Sequence, residues 1–263
     1  MRIWRTLIGA GAAIAALAGV AYATHSWNTY HWARTANPFT LRVIDSVTAT
    51  WQNEYNMSMS EWGASSVLNL VTASADDSSR TRRQCRMAVG QIRVCHSTYG
   101  QNGWLGLATI GIDNQGHIDR GTAKMNDSYP SSWAIPGEKR HVMCQEIGHL
   151  FGLGHTSEDG SSQGTCMDYS TSLGSQSPNA HDYEQLEIIY AHLDTYNTYQ
   201  LSAAAAAAAP AQPSVDDLPA GVPLGSILVH SDQFEHVYVR SRSDGGYWIF
   251  HVRLAPEHGP PAN

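Results

Sequence analysis

The sequence lacks the basic stripe that a nucleic-acid-binding protein carries. Its 263 residues include 16 lysines and arginines against 23 aspartates and glutamates, so that the net charge is −7. One short cluster of arginines, at residues 80–86, is interpreted as a solvated loop. The charge balance therefore argues against a nucleic-acid-binding function.

The sequence also lacks an apolar run of the length that a transmembrane helix needs. The longest run, residues 7–20, follows two arginines and precedes Ala-Tyr-Ala at residues 21–23, which has the small-x-small form of a cleavage site. We expect residues 1–23 to be a secretory signal peptide, with no stable membrane span after cleavage. An uncleaved anchor is the alternative. Export predicts a secreted or extracytoplasmic protein in an oxidising compartment.

Cysteine is scarce, and the four present are Cys85, Cys95, Cys144 and Cys166. Four cysteines allow three disulfide pairings. Cys85 and Cys95 flank a predicted hairpin, so pairing them is the local solution, and it leaves Cys144 with Cys166. The sequence does not fix this connectivity, and reduced thiols are the alternative.

Strands and helices are predicted from the apolar pattern. Residues 24–40 are polar and aromatic and are expected to cross the surface. Residues 104–112 and 117–125 are predicted strands joined by a strong turn signal. Helices are predicted from about 138 to 151 and from 179 to 193.

A change of composition marks the end of the main domain, which we place at residues 24–200. Seven consecutive alanines lead into a Pro-containing stretch, interpreted as a linker over residues 201–225. Residues 227–239 and 247–254 have the pattern of two hairpin arms. We expect residues 226–263 to form a small β-hairpin tail, because too few residues remain for an independent core.

The chemistry is concentrated in residues 145–155. Glu146, His149 and His155 have the spacing of the long zinc-protease motif, and Gln145 occupies the position of its first histidine. Gln145 lies one helical turn before His149 and shares its face. Imidazole is a good zinc ligand, and a carboxylate beside the metal suits a general base. His141, one further turn back, is the alternative third ligand.

Together with Met167, this spacing resembles that of the metzincin zinc metalloproteases. The resemblance covers about residues 41–195. It implies an α+β fold with a mixed β-sheet, an active-site helix, a methionine turn at Met167 to Tyr169 and a C-terminal helix. It also implies a secreted zinc-dependent endopeptidase that hydrolyses protein or peptide substrates, with Zn²⁺ held by Gln145, His149 and His155. Tyr169 is implied to ligate the metal or assist the oxyanion, with packing against the turn as the alternative.

Gln145 is the departure from the family pattern. Its amide oxygen is neutral and binds zinc less well than imidazole does. If neither Gln145 nor His141 binds zinc, the site is degenerate and the protein is a non-catalytic secreted binding protein on the same scaffold. Retention of Glu146 favours catalysis, because only the reaction needs a base there.

A second metal site is suggested by polar residues around the turn at 113–116. Asp113, Asn114, Asp119 and His117 lie there. Asp and Asn are common in turns because their side chains form hydrogen bonds with the nearby backbone, and this explains these residues better than a bound ion does.

Overall fold

The computed structural model describes residues 25–199, 201, 211 and 222–256. The predicted signal peptide and most of the predicted linker lie outside the described residues. The described chain has an α+β fold built on one mixed sheet of eight strands. Within these residues, no helix is long and apolar enough to cross a membrane.

Eight strands and five helices follow one another along the described residues. The strands are β1 (Phe39–Ser46), β2 (Leu68–Ala75), β3 (Gln91–Ser97), β4 (Trp104–Ile112), β5 (Ile118–Asn126), β6 (Ile227–Ser231), β7 (Glu235–Ser241) and β8 (Tyr247–Leu254). The helices are α1 (Gln52–Trp62), α2 (Ser79–Gln84), α3 (Pro130–Trp133), α4 (Glu138–His149) and α5 (Ala180–Ile189). The predicted strand pair and both predicted helices are therefore present, with shifted ends.

The sheet has the strand order β2-β1-β3-β5-β4-β8-β7-β6. β1 pairs in parallel with β2 and β3, and β3 pairs in parallel with β5. From β5 to β6 every pairing is antiparallel. The tail therefore continues the main sheet, and the predicted first hairpin arm, residues 227–239, consists of two strands.

The hairpin predicted around residues 90–91 is not formed. β3 pairs in parallel with β1 and β5, and residues 86–89 are not in a strand. An alternating pattern shows which face of a strand is buried but not which strand it pairs with. The two predicted disulfides are confirmed, since Cys85 is bonded to Cys95 and Cys144 to Cys166.

Residues 31–34 are buried, whereas residues 28–29 and 35–38 are exposed, so the surface crossing predicted for residues 24–40 is only partly correct. Trp32 is fully buried, and its indole Nε1 donates a hydrogen bond to the Leu150 carbonyl at 2.9 Å. The Trp27 amide donates to the Gly152 carbonyl at 3.0 Å. Carbonyls at the end of a helix have no partner within the helix. The segment supplies partners just beyond α4 and thereby fixes its C-terminal end.

β8 separates two cores because its side chains alternate between the two faces of the sheet. Trp248, Phe250 and Val252 pack in a small cluster with Trp104 and Leu107. The alternate positions Ile249, His251 and Arg253 are also buried. Ile249 joins the main core, which includes the apolar residues of α4. The polar pair His251 and Arg253 therefore faces α4, the helix that carries Glu146 and His149.

Candidate metal and active site

The motif helix α4 is bounded by two glycines in the left-handed region. Gly137, its N-cap, has φ +84°, and Glu138 supplies an acid in the first turn. Gly152 has φ +94°, and a Cβ there would lie 2.0 Å from the Tyr30 carbonyl oxygen. Only glycine fits this reversal. The reversal returns His155 to His149, as the sequence predicts, with ring centroids 4.6 Å apart.

Two site residues come from the C-terminal strands. The ring of His251, on β8, stacks on the His149 ring with centroids 4.3 Å apart and an interplanar angle of 10°. Glu235, on β7, lies 3.0 Å from His251 Nδ1 and 3.4 Å from His155 Nδ1. His149, His251 and Glu235 place possible ligand atoms within 4.8 Å of one another.

The hydrogen bonds fix which nitrogen of each ring is free. His149 Nδ1 donates to the Leu153 carbonyl at 2.9 Å, so its Nε2 carries a lone pair. His251 Nδ1 donates to Glu235, and its buried Nε2 has no hydrogen-bond partner among the described residues. His155 Nδ1 lies 2.8 Å from the Tyr169 hydroxyl, and its Nε2 is also unpartnered.

The electrostatics of this cluster suit a metal cation. Burial lowers the pKa of His149 and of His251 to about 3, and it lowers that of His155 well below its usual value. The three rings are therefore neutral imidazoles, the form that binds zinc. Burial also raises the pKa of Glu235 to about 7, although His149 opposes this change. The carboxylate that orients His251 has the role that outer carboxylates play around zinc.

The Gln145 side chain is hydrogen-bonded to Arg253 rather than pointing into the histidine cluster. Its Oε1 accepts a hydrogen bond from Arg253 Nη1, and its Nε2 donates to the Asp168 carbonyl at 2.8 Å. Arg253 Nη2 also donates to Glu138 at 3.1 Å. Binding of a metal by Gln145 stays a prediction, and it would require the amide oxygen to leave Arg253. His141 Nε2 donates to the same Asp168 carbonyl.

Glu146 is buried, and neither carboxylate oxygen has a hydrogen bond of normal geometry to any residue that the structure describes. It faces β4 so closely that a Cβ at Gly106 would lie 2.2 Å from its Oε1. Burial raises the pKa of Glu146 well above its usual value, against the opposing charge of Arg253. A buried carboxyl without hydrogen-bond partners is available to take a proton.

Residues 166–169 pack against α4. Met167 is fully buried, and its Sδ would lie 2.5 Å from a Cβ at Gly148. The Cys144–Cys166 disulfide joins α4 to this segment. Tyr169 contacts the site, since its ring centroid lies 4.2 Å from that of His155. On its other side the Tyr169 ring stacks on Phe234, with centroids 4.8 Å apart.

Access to the site is narrow in this conformation. A cavity of about 90 Å³ lies beside it, lined by Leu105, Glu138, Tyr169, Phe234 and Arg253 among others. That volume holds about three waters. A larger cleft, of about 420 Å³, lies at the other end of α4 and contains none of the site residues.

Glu235, His251 and Arg253 were not predicted from the sequence as site residues. One signal was present, because His251 and Arg253 alternate with large apolar residues in a strand of otherwise apolar character. Polar residues at i and i+2 of such a strand share one face, and a buried polar face points to a site.

No protein-family model and no curated protein matches the sequence.

Proposed function

We propose that this chain is a secreted zinc-dependent peptidase, of the endopeptidase type that the metzincin resemblance implies. His149, His155 and His251 hold the zinc, and Glu146 is the general base. Glu235 orients His251 and His155 and balances the charge of the metal. Gln145 is the alternative third ligand, which would have to give up Arg253.

One observation carries this proposal. Three neutral imidazoles lie around one buried carboxylate, and two of them have an Nε2 atom that no described residue satisfies. Leaving a buried polar atom unpaired costs about 1–3 kcal/mol. A zinc ion would offset that cost for both of these rings, and three nitrogens with one open position form a catalytic zinc site.

The residues of the chain have separate tasks in the reaction. A bound zinc supplies Lewis-acid activation of water and of the peptide carbonyl. Glu146 takes the proton of the attacking water and passes it to the leaving amine nitrogen. Tyr169 places its hydroxyl 2.8 Å from His155 Nδ1, where it holds that ring and lies at the edge of the site.

The substrate is expected to approach past Tyr169, Phe234 and Arg253. β8 occupies the edge of β4, from Leu254 opposite Trp104 to Tyr247 opposite Ile112. An extended peptide often binds by adding a strand to a free sheet edge. That edge is filled here, so the peptide enters from the side of the small cavity.

The test uses the mature chain loaded with zinc. Glu146→Gln keeps the shape of the side chain but removes the base, so we expect zinc content to be unchanged and chelator-sensitive peptide hydrolysis to fall by at least 100-fold. Glu184→Gln, an exposed change on α5, is the matched control and is expected to leave hydrolysis unchanged. Equal hydrolysis in wild type and Glu146→Gln contradicts the assigned base.

A non-catalytic secreted binding protein is the second candidate. The closure of the site favours it, because Glu146 and His149 are each only 1% exposed. This candidate predicts no chelator-sensitive hydrolysis by the wild type, even when zinc is bound stoichiometrically.

A further inference from the structure

A second group of histidines lies away from the site described above. His31 belongs to the buried N-terminal segment, His117 lies just before β5, and His192 and Asp194 follow α5. The ring centroid of His31 is 4.7 Å from that of His117 and 4.7 Å from that of His192. Three distant parts of the chain therefore bring three imidazoles to one carboxylate.

Four distances among the donor atoms are close to the edge length of a tetrahedral zinc site, and His31, His192 and Asp194 each place one possible ligand atom within 4.8 Å of the others. His31 Nε2 lies 3.2 Å from His192 Nε2 and 3.5 Å from Asp194 Oδ2. Asp194 Oδ1 lies 3.4 Å from His117 Nε2 and 3.6 Å from His192 Nε2. Four ligands at zinc bond lengths of about 2.0–2.1 Å stand about 3.3 Å apart in a tetrahedron.

The hydrogen bonds leave lone pairs directed at this centre. His31 Nδ1 donates to the Thr29 carbonyl at 2.6 Å, so its Nε2 carries a lone pair, and this atom lies 3.2 Å from His192 Nε2. His117 Nδ1 lies 2.6 Å from the Tyr196 hydroxyl, which donates in turn to Asp113 at 2.8 Å. The hydroxyl proton is used on Asp113, so His117 Nδ1 is the donor and its Nε2 also carries a lone pair.

A proton or a metal ion is needed between these atoms. Two lone-pair nitrogens and a carboxylate oxygen repel one another unless a proton or a metal lies among them. Arg34 occupies the other side of the carboxylate, with its backbone amide and its Nη1 both donating to Asp194 Oδ2. Asp194 Oδ1 receives no donor from Arg34 and faces His117 and His192.

We propose that His31, His117, His192 and Asp194 form a second zinc site, separate from the catalytic one. All four potential ligands come from the protein, so the site is structural. Hydrogen bonds at Nδ1 orient the rings of His31 and His117, as hydrogen bonds to the second ring nitrogen do for histidine ligands in zinc sites.

The turn chemistry predicted for Asp113 is present, since its Oδ1 accepts hydrogen bonds from the Gln115 and His117 amides.

The site joins the N-terminal segment to the β4–β5 turn and to the residues after α5. The same segment holds the end of α4 through Trp32. Zinc at this site therefore reinforces the support of the motif helix. Its role does not depend on whether the proposed peptidase activity exists.

The test compares zinc binding by wild type, His192→Ala and His236→Ala. The His192 side chain is 57% exposed, so its removal leaves the core intact. His236, a partly exposed histidine on β7, is the matched control. After zinc loading and desalting, we expect His192→Ala to hold one zinc per chain fewer than wild type, or to bind that zinc at least tenfold more weakly.

His236→Ala is expected to match wild type in zinc content and in melting temperature. Cobalt should give the visible absorption of a tetrahedral centre in wild type, and this signal should weaken in His192→Ala. Zinc content, affinity and cobalt spectrum unchanged in His192→Ala overturn the second site. A failure of the catalytic site appears separately, as unchanged zinc in His149→Ala.

Discussion

Gly106→Ala tests the contact between β4 and the proposed base. A Cβ at this position would lie 2.2 Å from Glu146 Oε1, 2.7 Å from Glu146 Cδ and 2.8 Å from Val142 Cγ1. Gly106 is not in the left-handed region, so the change adds no backbone strain. β4 is hydrogen-bonded on both sides, to β5 and β8, so the strand is held in place. The side chains of α4 must therefore move.

The expected size follows from these distances. Ordinary contact between such atoms requires about 3.5 Å, so the carboxylate has to move by about 1 Å. Overpacking of this kind costs about 1–3 kcal/mol, which lowers the melting temperature by about 2–12 °C in a domain of this size. A misplacement of about 1 Å at a catalytic group costs about 100-fold in rate.

The assay is thermal unfolding followed by circular dichroism, together with peptide hydrolysis by the zinc-loaded protein. Gly174→Ala is the control, because its Cβ meets only Ser172 Oγ at 3.7 Å, and its effect should stay within about 0.5 kcal/mol. Gly106→Ala with the stability and activity of wild type would refute the placement of Glu146 against β4.

Three further changes test the support of the site. Gly148→Ala places a Cβ 2.5 Å from Met167 Sδ, so urea unfolding should show a loss of about 1–3 kcal/mol; an unchanged midpoint contradicts the packing of Met167. Asn179→Ala removes the capping box of α5 and should cost about 1 kcal/mol in the same assay, whereas no change places the helix start elsewhere. Removing zinc with a chelator should lower the melting temperature of wild type by several degrees, and by less in His251→Ala.

The central part of the structure was predictable because its signals are local. The glycine at 152, the spacing within α4 and the turn between β4 and β5 each act over a few residues. The two disulfide pairings were also predicted correctly, although the hairpin on which the Cys85–Cys95 pairing was based is not formed. Pro136 and Glu138 marked the beginning of α4 for the same reason.

The rest of the site depends on contacts between distant parts of the chain. His251 meets His149 across about 100 residues and the predicted linker, and an alternating pattern does not specify a partner strand. The polarity of residues 24–40 suggested exposure throughout, but a tryptophan can be buried when its N–H finds an acceptor, as that of Trp32 does. The parallel pairing of β3 was missed for the same reason as that of β8.

The third ligand is the central claim, and the zinc dissociation constants of His251→Ala and Gln145→Ala test it most directly. We expect His251→Ala to bind the site's zinc at least 100-fold more weakly than wild type, since a ligand is lost and even outer-shell changes cost about 10–100-fold. Gln145→Ala should weaken binding by less than about tenfold, because it removes only the partner of Arg253. Zinc binding that survives in His251→Ala and is lost in Gln145→Ala would contradict the account and identify Gln145 as the ligand.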